Sequence, residues 1–416
     1  MNILVLSTYD VTPVSTGGQS RYVNIYRRIG AHHDIAILAY DVRRRTDRTY
    51  SLGERLRVVA PRFADADRDR LTALHALTGH SLDDVLCIRD YRFSPQFYAA
   101  LRREAARAEV IVASHPYLAP LAFGYSPTRS VKIYEAHNVE YDAKRAYFAD
   151  ATDPVLARFL EEVWQGERLA CVEADYVTAV SGDDADRLAE LYAVPRRKIA
   201  TIPNGADTAA FPPVRAKDKA TLRAHFAAGD RPIGVFMGGD HPPNLDAYLR
   251  TRALLAQAGY TGLVIVLGTI AERLPAVSAA ARFEEVRLGF VDEAVKAVVL
   301  GSADFALQFS VTGAGTTLKL FDYMAARTLI VANRFGRRGI PFEDWCWPVE
   351  TAAELRRFLA EQPWRKPEGR QIAQRARRIA EQHYDWGRIA ASYERLIARG
   401  RGGDIASELA GRFAAH

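Results

Sequence analysis

Short apolar runs alternate with longer helical patterns along this chain. Runs at 3–6, 35–38, 56–59, 110–112, 133–134, 176–180 and 199–202 are short, β-branched or leucine-rich, and show no polar alternation. Strands buried on both faces of a parallel sheet read this way. Helical stretches between them predict βαβ units, so the first half reads as a doubly wound α/β domain. The alternation restarts near Pro232, with strand runs at 233–237, 263–267, 285–288, 305–309 and 329–331 and helical patterns at 245–258 and 291–300. Between the halves, Pro-Asn-Gly, Pro-Pro and a Lys/Arg/Asp cluster predict a linker with one short helix. After Gln382, the spacing of Trp386, Ile389, Tyr393 and Ile397 predicts a helix. The expected domains are 1–208 and 231–383, joined by a linker at 209–230 and followed by C-terminal helices at 384–416.

One stretch concentrates candidate chemistry. Residues 313–324 read Gly-Ala-Gly-Thr-Thr-Leu-Lys-Leu-Phe-Asp-Tyr-Met, a polar glycine-rich loop running into an apolar helix. Free N–H groups and a partial positive charge at a helix start favour phosphate. Gly313, Gly315, Thr316 and Thr317 form the loop, and Lys319 adds a full positive charge. Asp322 falls on the same helical face as Lys319 and can accept hydrogen bonds from sugar hydroxyls. One turn thus offers a phosphate grip beside a ribose grip. An ordinary amphipathic helix with a solvated Lys and Asp explains the stretch alone equally well.

Other polar motifs also follow predicted strands, where open α/β sheets bind ligands. Gly17 and Gly18 come after the first strand and permit close backbone approach, although the dinucleotide fingerprint GxGxxG is absent. His137 sits in Glu-Ala-His-Asn-Val-Glu with Asn138 and Glu140; a capping Asn138 beside a surface histidine is the plain alternative. Gly238, Gly239 and His241 end the first strand of the second half. Phe290 and Val291 follow a later strand and can frame a flat base. Ser181 and Asp184 fit a helix cap instead. The DxD triplets at 65–67 and 184–186 lie in charge-rich segments and are not taken as metal ligands.

Composition narrows the function classes. The 416 residues are 49% hydrophobic and 25% charged, a globular balance with length for two domains. A net charge of +6 suits an anionic ligand or a peripheral contact with an anionic membrane. No recognition-helix or aromatic–basic motif supports nucleic acid as a partner. Three cysteines, Cys87, Cys171 and Cys346, are far apart and match no zinc spacing, which suits reduced thiols in a cytosol. No signal peptide and no membrane-spanning run is expected.

Taken together, these motifs resemble the GT-B glycosyltransferases of retaining family 4 (GT4). The resemblance rests on the early Gly-Gly loop, His-Asn-Val-Glu, Val-Ser-Gly, Ile-Pro-Asn-Gly-Ala-Asp, Met-Gly-Gly, Gly-Phe-Val, Lys-Leu-Phe-Asp-Tyr-Met-Ala and the closing Tyr-Asp-Trp helix. It covers nearly the whole chain and implies two Rossmann-like domains facing a central cleft. The N-terminal domain would bind the acceptor and the C-terminal domain the nucleotide sugar, with the last helix crossing back to the first domain. It places Asp322 on the ribose, Lys319 near the diphosphate, Gly17 and Gly18 over the phosphates and His137 near the donor sugar, with Phe290 and Val291 framing the base. His137 and Lys319 are then the catalytic expectations. Two positions depart from the pattern: Ala314 stands where many relatives carry an acid, and His241-Pro242-Pro243-Asn244 stands where many carry Arg or Lys. Arg334, Arg337 and Arg338 are further candidates for the diphosphate.

The resulting expectation is a cytosolic, metal-independent retaining transferase that needs no cofactor beyond its nucleotide-sugar donor. The acceptor would be a glycan, a lipid-linked glycan or another hydroxyl, in bacterial surface polysaccharide or glycoconjugate synthesis, with work at the inner face of the cytoplasmic membrane as a variant. Arg43, Arg44, Arg45 and Arg48 would offer a basic loop to an anionic acceptor or membrane, or form a solvated surface. A non-catalytic nucleotide-sugar-binding partner subunit, or a sugar-nucleotide epimerase on the same fold, is the alternative.

Overall fold

The computed structural model describes residues 1–14, 16–79, 82–90, 94–149, 153–279, 281–313 and 315–400. Ala314 and residues 401–416 of the expected C-terminal segment therefore lie outside the described residues. The described residues form two compact units: Met1–Pro203 with residues 389–400, and Asn204–Arg388.

In chain order the first unit contains β1 (Asn2–Ser7), α1 (Gly17–Ile29), β2 (Asp34–Ala39), β3 (Arg48–Gly53), β4 (Leu56–Ala60), α2 (Asp65–Thr78), α3 (Cys87–Asp90), α4 (Pro95–Ala105) and β5 (Val110–Ser114). It continues with α5 (Ala119–Gly124), β6 (Val131–Glu135), α6 (Glu140–Tyr147), α7 (Pro154–Glu173), β7 (Tyr176–Ala179), α8 (Gly182–Tyr192) and β8 (Ile199–Thr201). The sheet order is β3-β4-β2-β1-β5-β6-β7-β8, parallel except for β3. Ile3, Leu4, Val5 and Leu6 of β1 are all buried, as the uninterrupted apolar run requires of a strand covered on both faces. Strand β3 did not register as a strand in the sequence. Its Arg-Thr-Tyr-Ser-Leu-Gly alternates because it is an antiparallel edge strand with one wet face.

The second unit contains α9 (Ala216–His225), β9 (Ile233–Met237), α10 (Pro242–Ala258), β10 (Leu263–Leu267), β11 (Glu284–Gly289), α11 (Glu293–Ser302), β12 (Phe305–Gln308), α12 (Lys319–Ala325) and β13 (Leu329–Ala332). Then come β14 (Trp347–Pro348), α13 (Ala352–Glu361), α14 (Pro367–His383) and α15 (Trp386–Ala398), whose residues from Ile389 onward belong to the first unit. Its sheet order is β11-β10-β9-β12-β13-β14, with every pairing parallel. Both units thus have the doubly wound, Rossmann-like architecture expected. Residues 209–230 are part of the second unit: Phe211 and Leu222 sit in its apolar core.

Local chemistry accounts for many helix ends. Thr16 caps α1 in a reciprocal box with Gln19. Ser181 caps α8, with Oγ accepting from the Asp184 amide and donating to that residue's carboxylate. Proline opens α4, α7, α10 and α14, where its missing N–H costs nothing. No helix among the described residues is long and apolar enough to cross a membrane.

Candidate functional site

In each unit, the order of strands reverses beside the first strand of the sheet. β1 lies between β2 and β5, and β9 lies between β10 and β12. Such reversal points open a crevice at the carboxyl ends of the strands. Gly17, Gly18 and His137 follow strands at the first of these places and Gly238, Gly239, His241 and the loop before Lys319 at the second, whereas Phe290 and Val291 follow the edge strand β11.

In the first unit the loops after β1, β5 and β6 converge. Gly17 and Gly18 open α1. A Cβ on Gly18 would stand 2.0 Å from the Tyr9 hydroxyl and 3.7 Å from Nδ1 of His137, so the backbone closes on both rings there. His137 is 9% exposed, and its Nε2 lies 3.0 Å from Ser114 Oγ. It is not the surface histidine of the plain alternative. Asn138 does not cap α6, whose cap is Val139; its amide instead donates to Glu140 Oε1 at 3.0 Å. Glu140 is buried and takes a second hydrogen bond, 2.6 Å, from the Tyr117 hydroxyl. Its amide and that of Tyr141 donate to the two oxygens of Glu167, each at 2.9 Å, so α7 anchors the start of α6.

His115 was missed as a site residue. It directly follows β5, adopts φ 71°, and packs against His137 with ring centroids 4.2 Å apart and planes tilted by 40°. A non-glycine residue held in that backbone region marks an over-determined site. Its Nδ1 is buried without a hydrogen-bond partner, and burial, reinforced by His137, pushes its pKa down to about 4. The strand-end rule that selected His137 applies equally to Ser114-His115-Pro116.

The basic loop is largely spoken for. Arg44 lies 2.7 Å and Arg48 3.3 Å from buried Asp10, which also accepts from the Tyr50 hydroxyl. Arg43 pairs with Asp83. These side chains tie the loop after β1 to β3; exposed Arg45 has no ion pair among the described residues. Arg44 is half-buried in this brace, while Arg43, Arg45 and Arg48 remain exposed.

In the second unit Gly238, Gly239 and His241 follow β9, and the loop from Ser310 to Thr317 follows β12. Three glycines line adjoining strand ends. Gly268, at φ +89°, could take no side chain because a Cβ would sit 2.2 Å from the Gly238 carbonyl oxygen. Gly268 N in turn donates to Gly289 O at 2.7 Å. Gly313 (φ +116°) and Gly315 (φ +60°) give the β12 loop a backbone path that L side chains rarely follow. Thr316 is buried and accepts from the Asn204 amide at 2.9 Å; the Thr317 carbonyl starts the turn into α12 by accepting from Leu320. His241 caps α10 by position, without a side-chain bond to its first turn. Arg338 is the basic residue brought to this loop, since a Cβ on Gly313 would meet its Nη2 at 3.1 Å.

Lys319 and Asp322 share a helix but face different neighbours. Lys319 Nζ donates to Asn244 Oδ1 at 2.9 Å and lies 4.3 Å from the Phe236 ring centre. No carboxylate among the described residues pairs with it, and burial pushes its pKa down to about 7. Asp322 Oδ2 lies 3.1 Å from Lys296 Nζ on α11, which also bonds Glu293 at 2.7 Å. Burial raises the Asp322 carboxyl, with Lys296 opposing. Phe290 is 67% exposed just past β11, whereas Val291 packs partly into the core. Lys296 carried no sequence signal, because the meeting of α11 and α12 is a tertiary event. No group of three metal-ligating side chains occurs among the described residues.

Residues 16–210 match the family model for Glycosyltransferase Family 4. Across 96% of this chain and 100% of its own, HepE of Anabaena in complex with UDP superposes with a TM-score of 0.65 at 15% identity. Sucrose-phosphate synthase of Thermosynechococcus elongatus gives 0.69 at 16% identity, covering 96% of this chain and 99% of its own. The UDP-forming α,α-trehalose-phosphate synthase of Burkholderia vietnamiensis gives 0.62 at 12% identity, covering 96% and 100%. No curated protein sequence gives a significant match. The two parallel-sheet units and these neighbours give the chain the GT-B fold, and over residues 16–210 it is similar to Glycosyltransferase Family 4.

Proposed function

We propose that this protein moves a sugar from a nucleoside-diphosphate sugar to a hydroxyl acceptor with retention at the anomeric carbon, without a metal ion. The observation that carries this reading is Lys319. A buried cation lacking a carboxylate partner is costly, and a diphosphate at the adjacent glycine loops would supply the missing charge. Stabilising a departing diphosphate is chiefly electrostatic, so a fixed cation beside backbone N–H groups suits it.

In this reading the second unit grips the nucleotide. Lys319, with Gly238, Gly239, His241, Gly313, Gly315, Thr316 and Thr317, serves the diphosphate. Asp322, held by Lys296, takes the ribose hydroxyls, and Phe290 with Val291 flanks the base. The first unit contributes Gly17, Gly18, His137, Asn138 and Glu140, to which His115 is added. The C1–O bond to phosphate breaks as the acceptor oxygen bonds C1 on the same face. The acceptor proton passes to the departing phosphate oxygen, so no enzymic nucleophile and no cofactor is required. A glycan or lipid-linked acceptor in bacterial surface glycoconjugate synthesis, made in the cytosol or at the inner face of the membrane, fits this chemistry.

Uridine is the first base to test, since HepE was crystallised with UDP and with UDP-glucose. Calorimetry with UDP, GDP, ADP and dTDP reads the base, and proton NMR of the product reads the anomeric configuration. Binding by wild type that is lost in Lys319→Met supports the site; inversion at C1 would reject the retaining mechanism. Ala314, in place of the acid common in relatives, favours the second reading of a non-catalytic nucleotide-sugar-binding subunit, which would bind donor without turnover.

A further inference from the structure

A buried chain of hydrogen bonds behind His137 dictates where that ring carries its proton. Ser114, the last residue of β5, places Oγ 2.9 Å from Glu135 Oε2 and 3.0 Å from His137 Nε2. A serine hydroxyl has one proton to give and two lone-pair sites. Glu135 is fully buried and also receives Arg21 Nε at 3.1 Å and the Tyr26 hydroxyl at 3.0 Å. Burial alone would raise its carboxyl, but His137, Arg21 and Ser114 overcome that and hold it well below the ordinary range. An ionised carboxylate only accepts. The Ser114 proton is therefore committed to Glu135, and Ser114 has only a lone pair left for His137. Nε2 must then be the protonated nitrogen. Nδ1 is left with its lone pair, on the side of the ring next to Gly18.

We propose that Glu135 is a positioning residue: through Ser114 it holds His137 as the Nε2–H tautomer, so that Nδ1 faces the Gly17-Gly18 turn as an acceptor for a hydroxyl of the donor sugar. The sugar's part in this rests on the transferase reading; the tautomer does not. The same carboxylate is tied to other parts of the unit. Arg21 also binds the carbonyls of Ile202 and Pro203, at 3.0 and 2.9 Å, and Tyr26 meets the Tyr393 hydroxyl at 3.3 Å. The relay is thus anchored on α1, the end of the first segment and α15, which leaves Ser114 little freedom to turn.

The test is the imidazole nitrogen spectrum of the full-length protein labelled with 15N-histidine, recorded at pH 8.5, with His137 identified by its loss in His137→Asn. Wild type should show the Nε2–H pattern. In Glu135→Gln the amide oxygen must face Arg21 Nε, which only donates, so the NH2 group faces Ser114. Ser114 then gives its own proton to His137, and the pattern should invert to Nδ1–H. Ser114→Ala should yield a mixture and Ser114→Thr should restore the wild-type pattern, which decides the matter even if Glu135→Gln does not fold. An Nδ1–H or imidazolium pattern in wild type overturns the proposal, as does a pattern unchanged in both Glu135→Gln and Ser114→Ala. Where turnover is measurable, Ser114→Ala should lower kcat about tenfold, near the worth of one hydrogen bond, with nucleotide affinity unchanged. A wild type with the Nε2–H pattern but no turnover rejects the transferase reading and leaves the relay standing.

Discussion

The Lys319 ammonium rests on the side-chain oxygen of Asn244, 2.9 Å away, at the strand reversal of the second unit. The acceptor is a neutral amide that brings no countercharge, so the contact does not offset the cost of burying a charge in full. Replacing Lys319 with methionine keeps the chain's length and removes the cost. Lys319→Met should raise the melting temperature of the ligand-free protein and weaken nucleotide diphosphate binding by roughly 10- to 100-fold, the worth of a charge-assisted hydrogen bond. Thermal shift with and without UDP checks both. A variant that loses stability and keeps its affinity would show that Lys319 is structural.

The same lysine makes stability depend on pH in a defined direction. Its pKa is lowered from 10.5 to about 7 on folding, so between these values the unfolded chain binds more protons than the folded one. Stability then rises with pH across that window, because unfolding takes up a proton. The penalty is fully present below pH 7 and gone above 10.5. Urea unfolding of wild type and Lys319→Met across pH 7 to 10 should show this slope only in wild type. Diphosphate binding should restore the charge and take up a proton at pH 8, visible as a buffer dependence of the binding enthalpy.

Asp322 offers a separation of binding from folding. Lys296 lies 3.1 Å from Asp322 and keeps Glu293 at 2.7 Å whatever happens at position 322. The Asn oxygen can still accept from Lys296 and the burial of a carboxylate is relieved, so Asp322→Asn should change ligand-free stability by only about 1 kcal/mol. Nucleotide affinity should fall by roughly tenfold or more through the lost charge and the loss of one of the two ribose-accepting oxygens. Equal affinity of variant and wild type for UDP and for its deoxyribose counterpart would remove Asp322 from the site.

Gly268 tests the backbone at the same place. An alanine there meets the Gly238 carbonyl oxygen at 2.2 Å and must also hold φ +89°. Neither strain is relieved by turning a side chain, because both partners are backbone. Gly268→Ala should cost about 3 kcal/mol or more in urea unfolding, unless β9 and β10 part at their ends. Parting would move Gly238, so the surviving folded protein should bind nucleotide less well.

Much of this architecture was open to reading without coordinates. The uninterrupted apolar runs of β1, β5, β9 and β10 have few other uses than strands covered on both faces. Edge strand β3 escaped because Arg-Thr-Tyr-Ser-Leu-Gly is half solvated and carries no buried run. At the site, the glycine turns and His137 were legible because each directly follows a strand. Asn244 and Lys296 were not, because their meaning lies in which residue of α12 each one meets.

The order of strands and helices, the glycines at strand ends and the pairing of Lys319 with Asp322 on one helix are properties of local sequence. Such patterns arise from burial and backbone sterics acting over a few residues. Which neighbour each side chain finds is set by packing between elements distant in sequence. That is why Lys319 and Asp322, one helical turn apart, come to rest on Asn244 and Lys296. It is also why the proton of His137 is decided by a serine at the end of one strand and a glutamate at the end of the next. Local periodicity can say that a residue is buried; only the folded chain says which donor and acceptor are buried with it.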